Sequence, residues 1–372
     1  MKNSISTIMF LTRLTAGRCG GVRSAWLVLE TGSGKIPVRV YRKSGRSRAR
    51  GTILSVGGLS VRGTDDPRIV LLNSAMARAG FTVIAPSYRD IDSFRITGDT
   101  LDEVVETVRA VCKRKDLSPS GTLSLIAPSF SGGICLAAAA RHEVADRIDA
   151  VCTIGTFGNV GRVLRFLMEN VEGDEYGRLI VMHNFIHYSV GKRPELQRAL
   201  ELAYLDNGFH REKPELDPYL ASISAENREL FQELRHNRDF RTAVWAEAEK
   251  KVREEQDIFE VMDVTRHIGN IKARCVFIHG KHDNVIPASE SEYLHRELAR
   301  MGIKSTLAVT PLISHGDTTY RLSMLPDLVA LVGAFKDFFR SAESAGRKRM
   351  KGDGARRNLH DLEFNLQCSR NE

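Results

Sequence analysis

Three residues far apart in the chain, Ser129, Asp283 and His315, could share one reaction. A serine hydroxyl is a weak nucleophile at neutral pH and needs an adjacent base. A neutral imidazole can take its proton and later return it to a leaving group. A carboxylate can hold the imidazole in the right tautomer and stabilise the imidazolium. Around Ser129 the chain reads LSLIAPSFSGG (residues 123–133), an apolar run, a tight turn and then a glycine pair. The residues two positions either side of Ser129, Ala127 and Ser131, are small. A helix opening behind such a turn favours developing negative charge. Ser131 is a second candidate in the same turn, and by residue type alone the segment also reads as a plain strand–turn–helix with a capping serine.

Asp283 lies in ARCVFIHGKHDNVIP (residues 273–287), and His315 in STLAVTPLISHGD (residues 305–317). Each has a bland reading, since loop aspartates commonly stabilise their own turns and a loop histidine can simply be solvated. His282 shares the loop of Asp283, and His279, at the end of the preceding strand, is expected to be packed or hydrogen-bonded. Gly57-Gly58-Leu59 follows another short apolar run, where a glycine pair lets backbone approach a ligand closely. The chain has no phosphate-cradling GxxxxGK[ST] loop and no CxxC or HxxxH pair with a third ligand, so no cofactor and no metal are expected.

The elements that must position these residues alternate between strand-like and helix-like patterns, which predicts a mostly parallel sheet with helices on both faces. Residues 24–30 and 36–42 alternate with period two around a Gly-rich turn and predict an antiparallel edge pair. Strands are predicted at 52–56, 81–86, 122–127, 148–154, 273–279 and 305–309. Helices are predicted at 66–79, at 100–115 with a Thr100/Glu103 capping box, at 132–141, at 289–301 and at 325–339. Between residues 155 and 270 the rhythm changes, and helical periodicity predominates at 160–171, 176–190, 194–206, 225–236 and 241–255. Insertions into such sheets usually sit over the carboxyl ends of the strands, where ligands bind.

The turn at Ser129, the strand–Gly-x-x-Asp loop at Asp283 and the later loop histidine, in that chain order, resemble the nucleophile elbow and triad of the α/β-hydrolase superfamily. The resemblance covers roughly residues 25–340, and residues 155–270 match only as a helical cap. It implies an α/β fold of about eight strands with a cap, divided as core (24–154), cap (155–270) and core (271–340). It also implies Ser129 as nucleophile, His315 as general base, Asp283 as its orienting acid, and the backbone N–H groups of Phe130 and Leu59 as the oxyanion hole. The function implied is a serine hydrolase of esters or related acyl compounds. Ala127 and Ser131 stand where the family usually has glycines, and Pro128 is an uncommon flank. These departures motivate the alternative of a non-catalytic binding protein with the same fold, and acyl transfer would use the same triad.

The composition is that of a globular protein, 42% hydrophobic and 27% charged. The net charge of +8 sits largely at the ends. The first 29 residues carry Lys2, Arg13, Arg18 and Arg23 and no acid, and residues 341–372 carry seven Lys/Arg against five acids. The nearly balanced body argues against a nucleic-acid partner. The partner expected is a small acyl substrate with an apolar group, suggested by cap residues such as Phe185, Tyr204 and Trp245. No apolar run is long enough to span a membrane. Scattered cysteines, several inside apolar runs, suggest a reducing, cytoplasmic location. Residues 1–23 are expected to be a poorly ordered start and residues 341–372 a disordered tail.

Overall fold

The computed structural model describes residues 2–45, 48–313 and 325–352. In chain order the described elements are α1 (Lys2–Thr15), β1 (Val22–Thr31), β2 (Gly34–Lys43), β3 (Thr52–Ser55), α2 (Pro67–Arg78), β4 (Thr82–Pro86), α3 (Arg89–Asp92), α4 (Asp99–Lys113), β5 (Leu123–Pro128), α5 (Phe130–Ala139) and β6 (Ile148–Ile154). Then come α6 (Val160–Glu169), α7 (Glu175–Phe185), α8 (His187–Val190), α9 (Pro194–Phe209), α10 (Leu216–Ser222), α11 (Ala225–His236), α12 (Arg238–Glu255), α13 (Ile258–Val261) and α14 (Val264–His267). The chain returns to the sheet with β7 (Arg274–Gly280), α15 (Ala288–Arg300) and β8 (Ser305–Thr310), and ends its described part in α16 (Leu325–Gly352).

The eight strands form one sheet in the order β1-β2-β4-β3-β5-β6-β7-β8. β1 and β2 pair antiparallel, β2 meets β4 antiparallel, and all remaining pairs are parallel. The central strands are buried on both faces, as parallel strands covered by helices must be. Their side chains divide with period two. Leu54, Ile84, Leu125, Cys275 and Phe277 join the core that runs into α4, α5 and the helical insertion. Ile53, Val83, Ile126, Val276 and Ile278 face the other way, onto α1, α2 and α16. Each deeply buried aliphatic or aromatic side chain contributes about 1.5–3 kcal/mol relative to exposure.

Three local expectations are corrected. The start of the chain is helical rather than poorly ordered: Phe10 is fully buried, its ring 4.9 Å from Phe335 and 5.0 Å from Phe339. The last helix runs past residue 340 to Gly352, because Ala342 is buried and Glu343 pairs with Arg50 at 2.9 Å. The Thr100/Glu103 capping box does not form. α4 begins one residue earlier with Gly98 at its N-cap, which puts the buried Thr100 inside the helix.

Candidate active site

The parallel register brings the candidate residues to one edge. Pro128, Ile154, Ile278 and Ala308 lie side by side across β5, β6, β7 and β8. The chain therefore leaves each strand at the same carboxyl edge, with Ser129 beyond β5 and the Asp283 loop beyond β7. The Ser129 N–H donates to the Ile154 carbonyl at 2.7 Å, and Gly155 N–H to Ile278 at 2.8 Å, which carries the pairing one residue past the strands.

Ser129 has φ 54° and ψ −135°. A residue with a Cβ is strained there, at a cost of about 1–3 kcal/mol, and persists only where its surroundings hold it. The holding contacts are short. α5 starts at Phe130, immediately after the serine and earlier than the expected start at 132. A Cβ on Gly132 would lie 2.5 Å from Thr156 Oγ1, and one on Gly133 would lie 2.3 Å from the Phe157 ring. The glycine pair thus lets α5 close onto the loop after β6, and that approach fixes the turn.

The Gly57-Gly58-Leu59 loop lies against this turn. A Cβ on Gly58 would stand 3.7 Å from the Pro128 carbonyl oxygen and 3.8 Å from Ser129 Cβ. The loop is anchored at both ends. Ser131, fully buried, donates its hydroxyl to the Gly57 carbonyl. Ser60 donates to Asp66 Oδ2 at 2.7 Å, and the same carboxylate caps α2 through Arg68 N–H at 2.9 Å. Burial opposes the charge on Asp66, but bonds from Arg68 and Ser60 prevail and hold its carboxyl down at about 2. The geometry separates the two serines of the turn: Ser131 is a buried anchor of the loop, and Ser129 sits half-exposed at the apex. Phe130 opens α5, where helical N–H groups lack intrahelical partners, and Leu59 packs on the core as a half-buried residue of the facing loop.

Asp283 is held by its own turn. Its Oδ1 accepts from the N–H groups of Val285 and Ile286, both at 2.9 Å, and its side chain is 4% exposed. This is the turn-stabilising role. His279 sits beneath, fully buried, with Nε2 2.8 Å from the Ile286 carbonyl, 3.6 Å from Asp283 Oδ2, and Nδ1 2.6 Å from Ser291 Oγ. A carbonyl only accepts, so Nε2 carries a proton, and in the neutral imidazole Nδ1 accepts from Ser291. His279 is therefore a built part of the acid loop, as its position at the strand end suggests. His282 is exposed.

His315 lies outside the described residues. The chain that leads to it is described as far as Ile313 and runs against the acid loop. Lys281 N–H donates to Thr310 at 2.9 Å, and a Cβ on Gly280 would meet the Ile313 carbonyl at 2.4 Å.

The helical insertion touches the same edge. Asp174 N–H donates to the Asn284 carbonyl at 2.9 Å, beside the acid loop. Val61, just past the glycine loop, packs where a Cβ on Gly208 would fall, 2.7 Å away, and Tyr176 borders the same point. Asn184 clamps the segment after α3, accepting from Ile96 N–H at 2.9 Å and donating to the Phe94 carbonyl at 2.8 Å. Phe94 itself has φ 58° and packs on Tyr204 with ring centroids 4.8 Å apart. Burial pushes the Tyr204 phenol up to about 12. Sequence reasoning missed Asn184, Phe94 and the clasp at the insertion's base. In that clasp Asn159 pairs with Asp263 at 2.8 Å, while buried Glu290 accepts from Gly158 N–H at 2.9 Å and Arg162 at 2.6 Å. No periodic signal marks such residues, although Asn159, just ahead of a helical pattern, has a readable capping signature.

No family model matches the chain, and no curated protein matches it in sequence. Solved structures do match it in fold. An acylaminoacyl peptidase of Pyrococcus horikoshii aligns with a TM-score of 0.51 at 10% identity, over 86% of this chain and 42% of the peptidase. Brefeldin A esterase, described as a bacterial homologue of human hormone sensitive lipase, aligns with a TM-score of 0.51 at 13% identity, over 93% of this chain and 86% of the esterase. The chain thus spans less than half the length of the peptidases it matches. At these identities the likeness is one of fold. The chain has the α/β-hydrolase fold, an eight-stranded, mostly parallel sheet with a helical insertion. No helix among the described residues is long and apolar enough to cross a membrane.

Proposed function

We propose that the chain is a serine hydrolase that cleaves a carboxylic ester or related acyl compound through an acyl-enzyme on Ser129. The observation that carries this reading is the backbone of Ser129: a non-glycine residue held at φ 54° between a strand and a helix, with a glycine loop laid against it. In this reading Ser129 Oγ adds to the substrate carbonyl carbon as its proton passes to His315, and Asp283 steadies the imidazolium. The N–H groups of Phe130 and Leu59 receive the oxyanion, each such donor being worth about 2.7–4 kcal/mol. Collapse expels the alcohol or thiol, which leaves with the proton from His315. Water then repeats both steps on the acyl-enzyme, releasing the acid and restoring the serine.

Residues 155–270 act as the cap over a core formed by residues 24–154 and 271–340. The substrate is a small molecule whose apolar acyl or alkyl group lies toward Phe94, Tyr176 and Tyr204. The buried thiols of Cys112, Cys135, Cys152 and Cys275 suit a reducing cytoplasm. The test is labelling with a fluorophosphonate, whose fluoride leaves as an activated serine attacks phosphorus. We expect one adduct, located at Ser129 by peptide mass spectrometry, absent in Ser129→Ala, retained in Ser131→Ala and strongly slowed in His315→Ala. Folded protein that takes no label would overturn the reading.

A further inference from the structure

α1 carries two apolar stripes, and only one is used. Thr7, Phe10 and Leu11 are buried against α16 and the sheet, as a helix docked by one face requires. Ile5, Ile8 and Met9 point the other way and remain 57%, 53% and 48% exposed. Beside Ile8, α16 exposes Leu328 and Val329, the latter at 69%. Ile8 and Leu11 of α1 and Leu328, Val329 and Val332 of α16 line one open groove of about 580 Å³. Single exposed apolar side chains are ordinary, but a shared apolar groove between two packed helices, with Ile5 and Met9 exposed on the same helix as Ile8, marks a contact surface.

The charges around this surface have one dominant sign. Arg13 lies on α1 with its guanidinium on the Met9 carbonyl, and Arg18 follows, exposed. On α16 the exposed positions Val329, Gly333, Lys336 and Arg340 recur at helical spacing, so two cations continue the stripe that Val329 begins. Of the acids on α16, Asp337 is engaged by Arg274 at 2.6 Å and Glu343 by Arg50, and Asp327 stands in the first turn. The first 29 residues contain no acid at all.

We propose that the outer face of α1 and α16 docks this chain on an anionic lipid surface, with Ile5, Ile8, Met9, Leu328 and Val329 entering the interface and Arg13, Arg18, Lys336 and Arg340 meeting the headgroups. An apolar helix face rimmed by cations is the chemistry such interfaces select. A second copy of the chain fits less well, because a two-fold contact would set this basic face against itself. The face belongs to α1, α2 and α16, on the side of the sheet away from the helical insertion, so docking there leaves the candidate active site uncovered.

Flotation with vesicles of phosphatidylcholine alone, and with about one third phosphatidylglycerol, tests this. The full chain should bind the anionic vesicles at low salt, bind them less as salt rises, and bind the neutral ones weakly. Ile8→Glu should weaken binding by more than about tenfold. So should the combined Arg13→Gln, Lys336→Gln and Arg340→Gln variant, which alters only helix-surface cations and decides the matter even where Ile8→Glu disturbs folding. Binding that ignores both lipid charge and these substitutions, or no binding at all, overturns the proposal. So does a dimer in sedimentation that Ile8→Glu splits without any vesicle binding, which would assign the face to contact between copies.

Discussion

The carboxyl edge of the sheet and the base of the helical insertion meet in the same molecule but are held by different means. At the sheet edge, bare backbone is packed against its neighbours. Strand register sets the level of Ser129 and Asp283, and a missing Cβ lets Gly132 and Gly133 approach Thr156 and the Phe157 ring and lets Gly280 approach the Ile313 carbonyl. At the base of the insertion, side chains do the joining: Asn159 to Asp263, and Glu290 to Arg162 and to two backbone N–H groups. Backbone contacts fix position to fractions of an ångström, which chemistry needs. Ionic clasps fix attachment and tolerate more movement. The difference predicts that substitutions at the edge act on turnover, and those at the clasp on stability.

Ser129→Gly should show the largest separation of the two. Turnover should fall by about 10⁴–10⁶-fold as the nucleophile is lost. Stability should rise, by about 1 kcal/mol or more, because glycine accepts φ 54° without strain. Ester turnover and urea unfolding of the same preparation check both, and a variant that loses stability would mean the turn is not strained. Gly280→Ala comes next. Its Cβ would meet the Ile313 carbonyl, so the acid loop and the chain toward His315 must part. We expect about 100-fold lower kcat with about 1–3 kcal/mol lost in a urea melt.

How much of this was legible follows the same division. The strands are runs of apolar residues ended by glycine, as at Thr52–Ser55 before Gly57, so periodicity found them. The turn at Ser129 was legible because closeness demands small neighbours, and Ala127, Ser131 and the glycines supply them. The anchors of the Gly57-Gly58-Leu59 loop were not, since Ser131 and Ser60 look like any other serines until Gly57 and Asp66 are placed opposite them. α1 went unread because its partners, Phe335 and Phe339, lie more than three hundred residues away in sequence. Phe94 gives no hint of φ 58°, because in sequence only glycine advertises that backbone. Polarity hides the clasp at Glu290, whose burial comes from packing rather than from pattern.

That clasp gives the next sharpest contrast. Glu290→Gln keeps the shape but removes the charge facing Arg162, and the buried carboxylate's bonds weaken together. The expected loss is about 2 kcal/mol, since Arg162 is itself half-exposed. Limited proteolysis should then cut first within residues 160–267, while fluorophosphonate labelling of the remaining intact chain proceeds at the ordinary rate. Equal loss of labelling and of protease resistance would mean that the two regions are not separately held.

The smallest effect joins the two regimes, because Asp66 is a charged side chain that anchors a backbone loop at the sheet edge. Its carboxyl titrates at about 2 in the folded chain, against about 3.9 in an unfolded one. A carboxyl held below its unfolded value stabilises the fold at every pH above that value. The contribution fades as pH falls from about 4 toward 2, where the folded form also takes up the proton. Partial solvent screening limits the contribution to about 1–2 kcal/mol. Asp66→Asn should therefore unfold at lower urea than the wild type at about pH 6 and approach it as the pH drops below about 4. Because the Ser60 bond is weakened in the variant at all pH values, its acyl turnover should stay reduced, by about threefold to tenfold, where the wild type is fully charged. A stability gap that persists unchanged into acid would assign the role of Asp66 to shape rather than to charge.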